Sequence, residues 1–203
     1  LDFSLIAFAE PLSVALHSAH RAGDLMGQKV LITGAGPIGQ LVLLEARRAG
    51  AAEITMTDLL DRSLAVGRKI GADAGINVAS APNALEEAAQ AIGGFDVAFE
   101  VSGAAPALNS AINAVHPGGT IVQVGSLPGG LQPIAANRIM AKELDLRGAF
   151  RFGNVFADAV ACLEKGVIDV SSLLTAVVPM AKAEDAFRMA KDREHHLKVV
   201  IEF

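Results

Sequence analysis

Gly34, Gly36 and Gly39 stand in the string GAGPIG at 34–39, a G-x-G-x-x-G, and Asp58 follows about 20 residues further on. Such a set can bind a dinucleotide. Gly34 permits a tight turn out of a strand, Gly36 leaves the backbone free to approach a pyrophosphate, and Gly39 lets a helix pack close to a sheet. Pro37 suits a first helical turn, where its missing N–H costs nothing. A helix starting there offers unpaired N–H groups and a positive dipole end to phosphate oxygens. Asp58 can accept hydrogen bonds from the adenosine ribose hydroxyls. It would repel a 2′-phosphate at the same place, so the expected cofactor is NAD(H) rather than its phosphorylated form.

These residues need a strand before them and a helix after them. The apolar run 29–33 reads as the strand, 40–49 as the helix, and 53–57, ending on Asp58, as the next strand. The alternation continues, with helical periods at 61–70, 84–92, 106–115 and 134–142 and strand runs at 74–78, 95–101, 120–124 and 144–149. Six strands alternating with helices predict an α/β fold: a Rossmann doubly wound six-stranded parallel sheet in the order 3-2-1-4-5-6. Thr33, Asp58, Val101, Ser102, Gly125 and Phe150 then fall at the edge where the strands end, which is where such sheets bind ligands. After a helix at 154–165 comes a tail, strand 173–178, helix 183–191 and strand 198–203. This β-α-β piece is not needed to complete the sheet. The expected division is 1–166 for the sheet domain and 167–203 for part of a second lobe.

Composition narrows the classes. The 203 residues are 52% hydrophobic with no Trp and no Tyr, an aliphatic core suited to a parallel sheet covered on both faces. A net charge of −5 without a basic block argues against nucleic acid or an anionic membrane as partner. One cysteine, Cys162, excludes an internal disulfide framework and a multi-cysteine zinc site within this chain. No apolar stretch is long enough to span a bilayer and no signal peptide is visible, so a cytoplasmic protein is expected. The chain begins at Leu1 and opens inside a helical pattern at 4–22, so a preceding segment is expected.

Other candidates carry bland readings beside the sharp ones. His17 and His20 share a helical face at metal-binding spacing, yet such pairs are more often merely hydrogen-bonded. His116 before Pro117 reads as a solvated turn residue, and adjacent His195 and His196 point apart. Cys162 reads as a small buried hydrophobe, and 191–194 as a solvated helix end. Arg151 either faces the ligand cleft or makes a surface ion pair. Glu10 before Pro11 reads as a carboxylate favouring a helix N-terminus.

Further strings carry a family resemblance: EPLSVALH at 10–17, GAGPIG, TDLLDRSL at 57–64, IGAD at 70–73, FEVSG at 99–103, GGTIVQVG at 118–125 and GAFRFGN at 148–154. Together they resemble the zinc-dependent medium-chain dehydrogenases, nearest the sorbitol dehydrogenase branch. AFRF at 149–152 and KVVIEF at 198–203 are most similar to its L-idonate-oxidising members. The resemblance implies that Gly34, Gly36, Pro37, Ile38 and Gly39 hold the pyrophosphate of NAD and Asp58 the ribose. It implies that Val101 and Ser102 lie beside the cofactor, that Val124, Gly125 and Ser126 sit near the nicotinamide, and that Phe150 and Arg151 close over it. Arg62 corresponds to an adenine-packing arginine but stands one position earlier than in sorbitol dehydrogenases. Glu10 would lie at Zn2+, facing the metal or its water, while the other ligands belong to a GroES-like catalytic domain that this chain only finishes with its tail. The implied reaction interconverts a secondary alcohol of a polyol or sugar acid and its ketone, in a homodimer or homotetramer, with the isolated piece inactive. The alternative is a non-catalytic dinucleotide-binding or redox-sensing module.

Overall fold

The computed structural model describes residues 2–203. Its main sheet contains β1 (Lys29–Thr33), β2 (Glu53–Asp58), β3 (Ala74–Asn77), β4 (Phe95–Glu100), β5 (Val115–Gln123) and β6 (Asp145–Gly148), ordered β3-β2-β1-β4-β5-β6. Every neighbouring pair is parallel. This is the doubly wound arrangement expected from the alternation, with β1 flanked by β2 and β4 at the point where the winding reverses.

Alternation along β1 builds two cores. Val30 and Ile32 face one apolar cluster and Leu31 the other, and all three are fully buried. The first cluster takes in α2 (Ala9–Ala22), α3 (Pro37–Arg48), α4 (Asp61–Ile70) and α8 (Phe156–Glu164). The second takes in α5 (Ala84–Ile92) and α6 (Ala105–Ala114), with α7 (Ala136–Ala141) at its margin. A side chain such as Ile32 contributes roughly 1.5–3 kcal/mol by leaving water, so the strands that carry the ligand edge are held from both faces.

Two stretches differ from expectation. The pattern at 4–22 is not one helix but α1 (Phe3–Ile6) and α2, with turn residues at 7 and 8 between them. Pro11 explains the break: it has no N–H for the Ala7 carbonyl four residues back, and its ring collides with that carbonyl in a continuous helix. Strand β5 begins at Val115 rather than after Gly119, because Val115 pairs with Phe95 before the register shifts to Val97–Thr120. Pro117-Gly118-Gly119 therefore makes an irregular strand start.

In the tail, β7 (Leu174–Pro179) and β8 (Lys198–Glu202) pair in parallel as a separate two-stranded sheet, with α9 (Ala183–Lys191) between them. Two cationic contacts tie it to the main body. Lys198 Nζ lies 5.6 Å from the Phe8 ring centroid, and Arg62 Nη2 donates to the His195 carbonyl at 2.5 Å. Among the described residues no helix is long and apolar enough to cross a membrane.

Candidate functional site

The glycine turn is built as its residue types require. Gly34 has φ +105°, and its N–H donates to the Thr57 carbonyl of the neighbouring strand at 2.8 Å. Gly39 lies so close beneath it that a Cβ there would sit 1.9 Å from the Gly34 carbonyl oxygen. Gly36 is the N-cap of α3, makes no side-chain cap, and has open space where a Cβ would be. Pro37 follows in the first turn and is exposed, while Ile38 is half-buried. The N–H groups at this helix start are thus unclaimed by any side-chain cap and reachable, and the residues fit a dinucleotide pyrophosphate.

Asp58 closes the turn from the next strand. Its Oδ2 accepts from the Ala35 N–H at 2.7 Å, and its Oδ1 from the Leu59 and Leu60 N–H groups at 2.8 and 3.0 Å. One backbone donor of the glycine loop and two from the turn after β2 fix the carboxylate. Each carboxylate oxygen accepts about two hydrogen bonds, so Oδ2 keeps one acceptor position for a further hydroxyl. Arg62 stands in the first turn of α4, half-buried, and its Nη1 is buried without a hydrogen-bond partner among the described residues. Leu59, Leu60, Asp61, Arg62, Glu194 and His195 line an open concavity of about 320 Å³ there.

The other half of the edge belongs to β4, β5 and β6. Val101 is half-buried and continues the ladder by donating to the Thr33 carbonyl at 2.9 Å. Val124 and Gly125 both donate to the Glu100 carbonyl, at 2.8 and 2.9 Å, while Ser102 and Ser126 are exposed. Phe150, 77% exposed, stacks under Arg151, whose guanidinium carbon is 5.2 Å from the ring centroid. Arg151 has φ +54°, a left-handed conformation that non-glycine residues adopt at some cost. It makes no ion pair among the described residues.

Glu100 was not among the expected site residues. It is fully buried at the end of β4, and its Oε1 accepts from Ser102 N, Ser102 Oγ and Gly103 N at 2.8, 2.6 and 3.0 Å. In the sequence it is a charged residue one short of the end of the run 95–101 and inside the string FEVSG, and periodicity does not mark it as buried.

Glu10 lies in the first turn of α2 with its side chain exposed. Its backbone carbonyl accepts from Ser13 Oγ at 2.6 Å, but its carboxylate caps no N–H. Among the described residues no three His, Cys, Asp or Glu side chains group as a metal site. His17, half-buried, packs against the loop after β6, and burial followed by Arg21 and His20 pushes its pKa down. His116 corrects the solvated reading: it is half-buried, with Nε2 3.0 Å from Asp96 Oδ1 and Nδ1 2.6 Å from the Pro117 carbonyl. The turn beside Asp96 places a partner there that the local sequence does not show. A second concavity of about 310 Å³ includes His116, Arg138 and Lys142, at the opposite end of the sheet.

Known proteins resemble this chain in sequence and in fold. A family model described as zinc-binding dehydrogenase matches residues 37–165. The chain is 40% identical over its full length to a protein of Escherichia coli (strain K12) named L-idonate 5-dehydrogenase (NAD(P)(+)), of which it covers 58%. It is 36% identical over 190 residues to a sorbitol dehydrogenase of Pongo abelii, with 91% of this chain and 52% of that protein covered. A crystal structure of L-idonate 5-dehydrogenase from Escherichia coli K-12 superposes on the whole chain with a TM-score of 0.92 at 41% identity, over 57% of its own length. The chain thus spans little more than half the length of these relatives.

Proposed function

The chain belongs to the zinc-binding dehydrogenase family, and on that premise we propose that it is the NAD(H)-binding part of an oxidoreductase. The intact enzyme would interconvert a secondary alcohol of a polyol or an L-idonate-like sugar acid and its ketone. One observation carries the reading: Asp58 Oδ2 accepts a hydrogen bond from inside the glycine turn, at the uncapped start of α3. A donor set for a pyrophosphate and an acceptor for a ribose hydroxyl are thereby side by side, as a dinucleotide needs.

Bound NAD+ would supply the hydride acceptor. The residues of this chain bind and orient it. The first-turn N–H groups that follow Gly36 and Pro37, from Ile38 onward, donate to the phosphates, and Asp58 accepts from a ribose hydroxyl. Arg62 lies toward the adenosine. Val101, Ser102, Val124, Gly125 and Ser126 line the nicotinamide side, with Phe150 and Arg151 at its outer rim. Residues 1–166 form this domain, and 167–203 contribute to a catalytic lobe.

The residues here do not fit a complete zinc site: Glu10 is the one family-implied position present, and it stands exposed without companion ligands among the described residues. No zinc-dependent step is therefore assigned to this chain. We assign the metal ligands to the part of the relatives' length that this chain does not span. Pairing into a homodimer or homotetramer is assigned to β6, an outer strand with Leu146 39% exposed.

Calorimetric titration with NADH, alongside a steady-state assay with L-idonate or sorbitol and NAD+ with and without zinc, tests the reading. Saturable NADH binding without turnover is expected. A folded chain that takes up no NADH, or one that turns over substrate unaided, refutes it.

A further inference from the structure

We infer that Glu100 is a positioning residue for the nicotinamide half of the bound cofactor, a reading that rests on the dinucleotide function proposed above. Three observations converge on it. The side chain is fully buried, an expensive place for a carboxylate unless it is hydrogen-bonded. One oxygen, Oε1, gathers both donors of Ser102 and the N–H of Gly103. The other, Oε2, is buried with no hydrogen-bond partner among the described residues.

The surroundings show what the carboxylate organises. A Cβ on Gly125 would lie 2.8 Å from Oε2 and 2.3 Å from the Gly103 nitrogen. A Cβ on Gly103 would lie 2.5 Å from the Ser126 carbonyl oxygen, and Gly103 has φ +70°. The turns that follow β4 and β5 are therefore stacked backbone on backbone, with a glycine on each side of the contact. Gly34 of the phosphate turn abuts the same stack, its Cβ position lying 2.9 Å from the Ser102 nitrogen. Glu100 fixes the middle of this arrangement at both ends: its side chain holds the 102–103 turn, and its carbonyl takes the N–H groups of Val124 and Gly125.

A single residue thus sets the distance between the two turns on the nicotinamide side. It reaches neither Asp58 nor the first turn of α3. Loss of its side chain should loosen the nicotinamide subsite and leave the adenosine–pyrophosphate subsite intact. Structural support alone would weaken both subsites together. The split between NADH and ADP-ribose, which lacks the nicotinamide, separates the two roles.

The experiment compares the folded wild-type chain with Glu100→Gln and Ser102→Ala, titrating NADH and ADP-ribose by calorimetry and recording the emission maximum of bound NADH. Glu100→Gln keeps the shape but replaces charge-assisted hydrogen bonds with neutral ones. It should raise the NADH Kd about tenfold, leave the ADP-ribose Kd within about twofold, and shift bound NADH emission toward that of free NADH. Ser102→Ala removes one of the three donors and should raise the NADH Kd about threefold, again without moving ADP-ribose. Equal weakening of both ligands, or an unchanged NADH affinity in either variant, overturns the proposal. If Glu100→Gln does not fold, Glu100→Asp, which keeps the charge but withdraws it from the 102–103 turn by one methylene, decides by the same criteria. A wild-type chain that binds neither ligand removes the underlying dinucleotide reading, whereas one that binds both while the variants show no split removes only the role of Glu100.

Discussion

Two acids end two strands on either side of β1, and they are used in opposite ways. Asp58 closes β2, half-buried, with backbone donors on both oxygens and one acceptor position left over. Glu100 closes β4, sealed from solvent, with one oxygen saturated and the other unmatched among the described residues. The Cα register pairs Thr33 with Thr57 on one side and with Glu100 on the other, so the two acids lie only one residue out of level across the sheet. The comparison separates recognition from positioning. An acid that is to meet a ligand keeps a free acceptor near water, whereas an acid that is to shape a loop gathers that loop's donors and is buried by it.

The largest test of the first half is Gly39→Ala. A methyl group 1.9 Å from the Gly34 carbonyl oxygen must push backbone, not a flexible side chain. The expected result is a loss of roughly 3 kcal/mol or more in stability, at the upper end of overpacking, together with loss of NADH binding. Scanning calorimetry and NADH titration read the two effects. Unaltered stability would mean that α3 approaches the sheet less closely than described.

Asp58→Ala comes next. It removes the ribose acceptor and leaves the Ala35, Leu59 and Leu60 N–H groups without their partner. NADH affinity should fall about tenfold or more, while NADPH affinity falls less or improves, because removing the carboxylate removes its repulsion of a 2′-phosphate. Parallel titrations with both cofactors read the ratio. An equal loss for both would reduce Asp58 to a loop brace like Glu100 and erase the contrast.

Arg62→Ala probes the same half more gently. It unties the His195 carbonyl and removes the buried Nη1 that has no partner among the described residues. A fall of about threefold in NADH affinity is expected, the scale of one modest hydrogen bond. If affinity holds while protease cleavage within 192–197 accelerates, Arg62 serves the tail and not the adenosine.

The contrast between the two acids also explains what the sequence revealed. Asp58 was legible because its distance from the glycines is set by one βαβ unit, a local and regular length. The strand order was legible because right-handed crossovers leave few choices for six alternating strands. Glu100 was hidden because its meaning lies in the approach of the β5 turn, about 25 residues away in the chain, an approach that no local period encodes. His116 was misread for the same reason, since its partner Asp96 comes from the neighbouring strand. The break before Ala9 was the reverse case: Pro11 was visible in the sequence, but the helical pattern around it outweighed the lost N–H.

The smallest effect lies furthest along the second half, under the loop that follows β6. Gly153 approaches His17 so closely that a Cβ on it would be 2.9 Å from Nδ1, and Arg21 Nε donates to the Gly148 carbonyl at 2.9 Å, so α2 is the floor of this loop. Burial, then the positive charges of Arg21 and His20, disfavour the imidazolium and lower the His17 pKa. The sign follows from linkage. In the unfolded chain His17 binds its proton at the ordinary histidine value of about 6.5, whereas the folded chain resists until lower pH. The unfolded state therefore holds more protons between the two values, and stability falls as pH drops from about 6.5 toward the depressed folded value. Above that window the contribution is fully present, and below it the slope from this group ends. His17→Gln should flatten the corresponding segment of a Tm-against-pH profile and leave NADH affinity at pH 8 unchanged. A profile identical to wild type would show that the loop rests on Arg21 alone. A loss of NADH affinity at pH 8 would instead make the α2 floor part of the nicotinamide subsite, extending the positioning side of the comparison from β4 to β6.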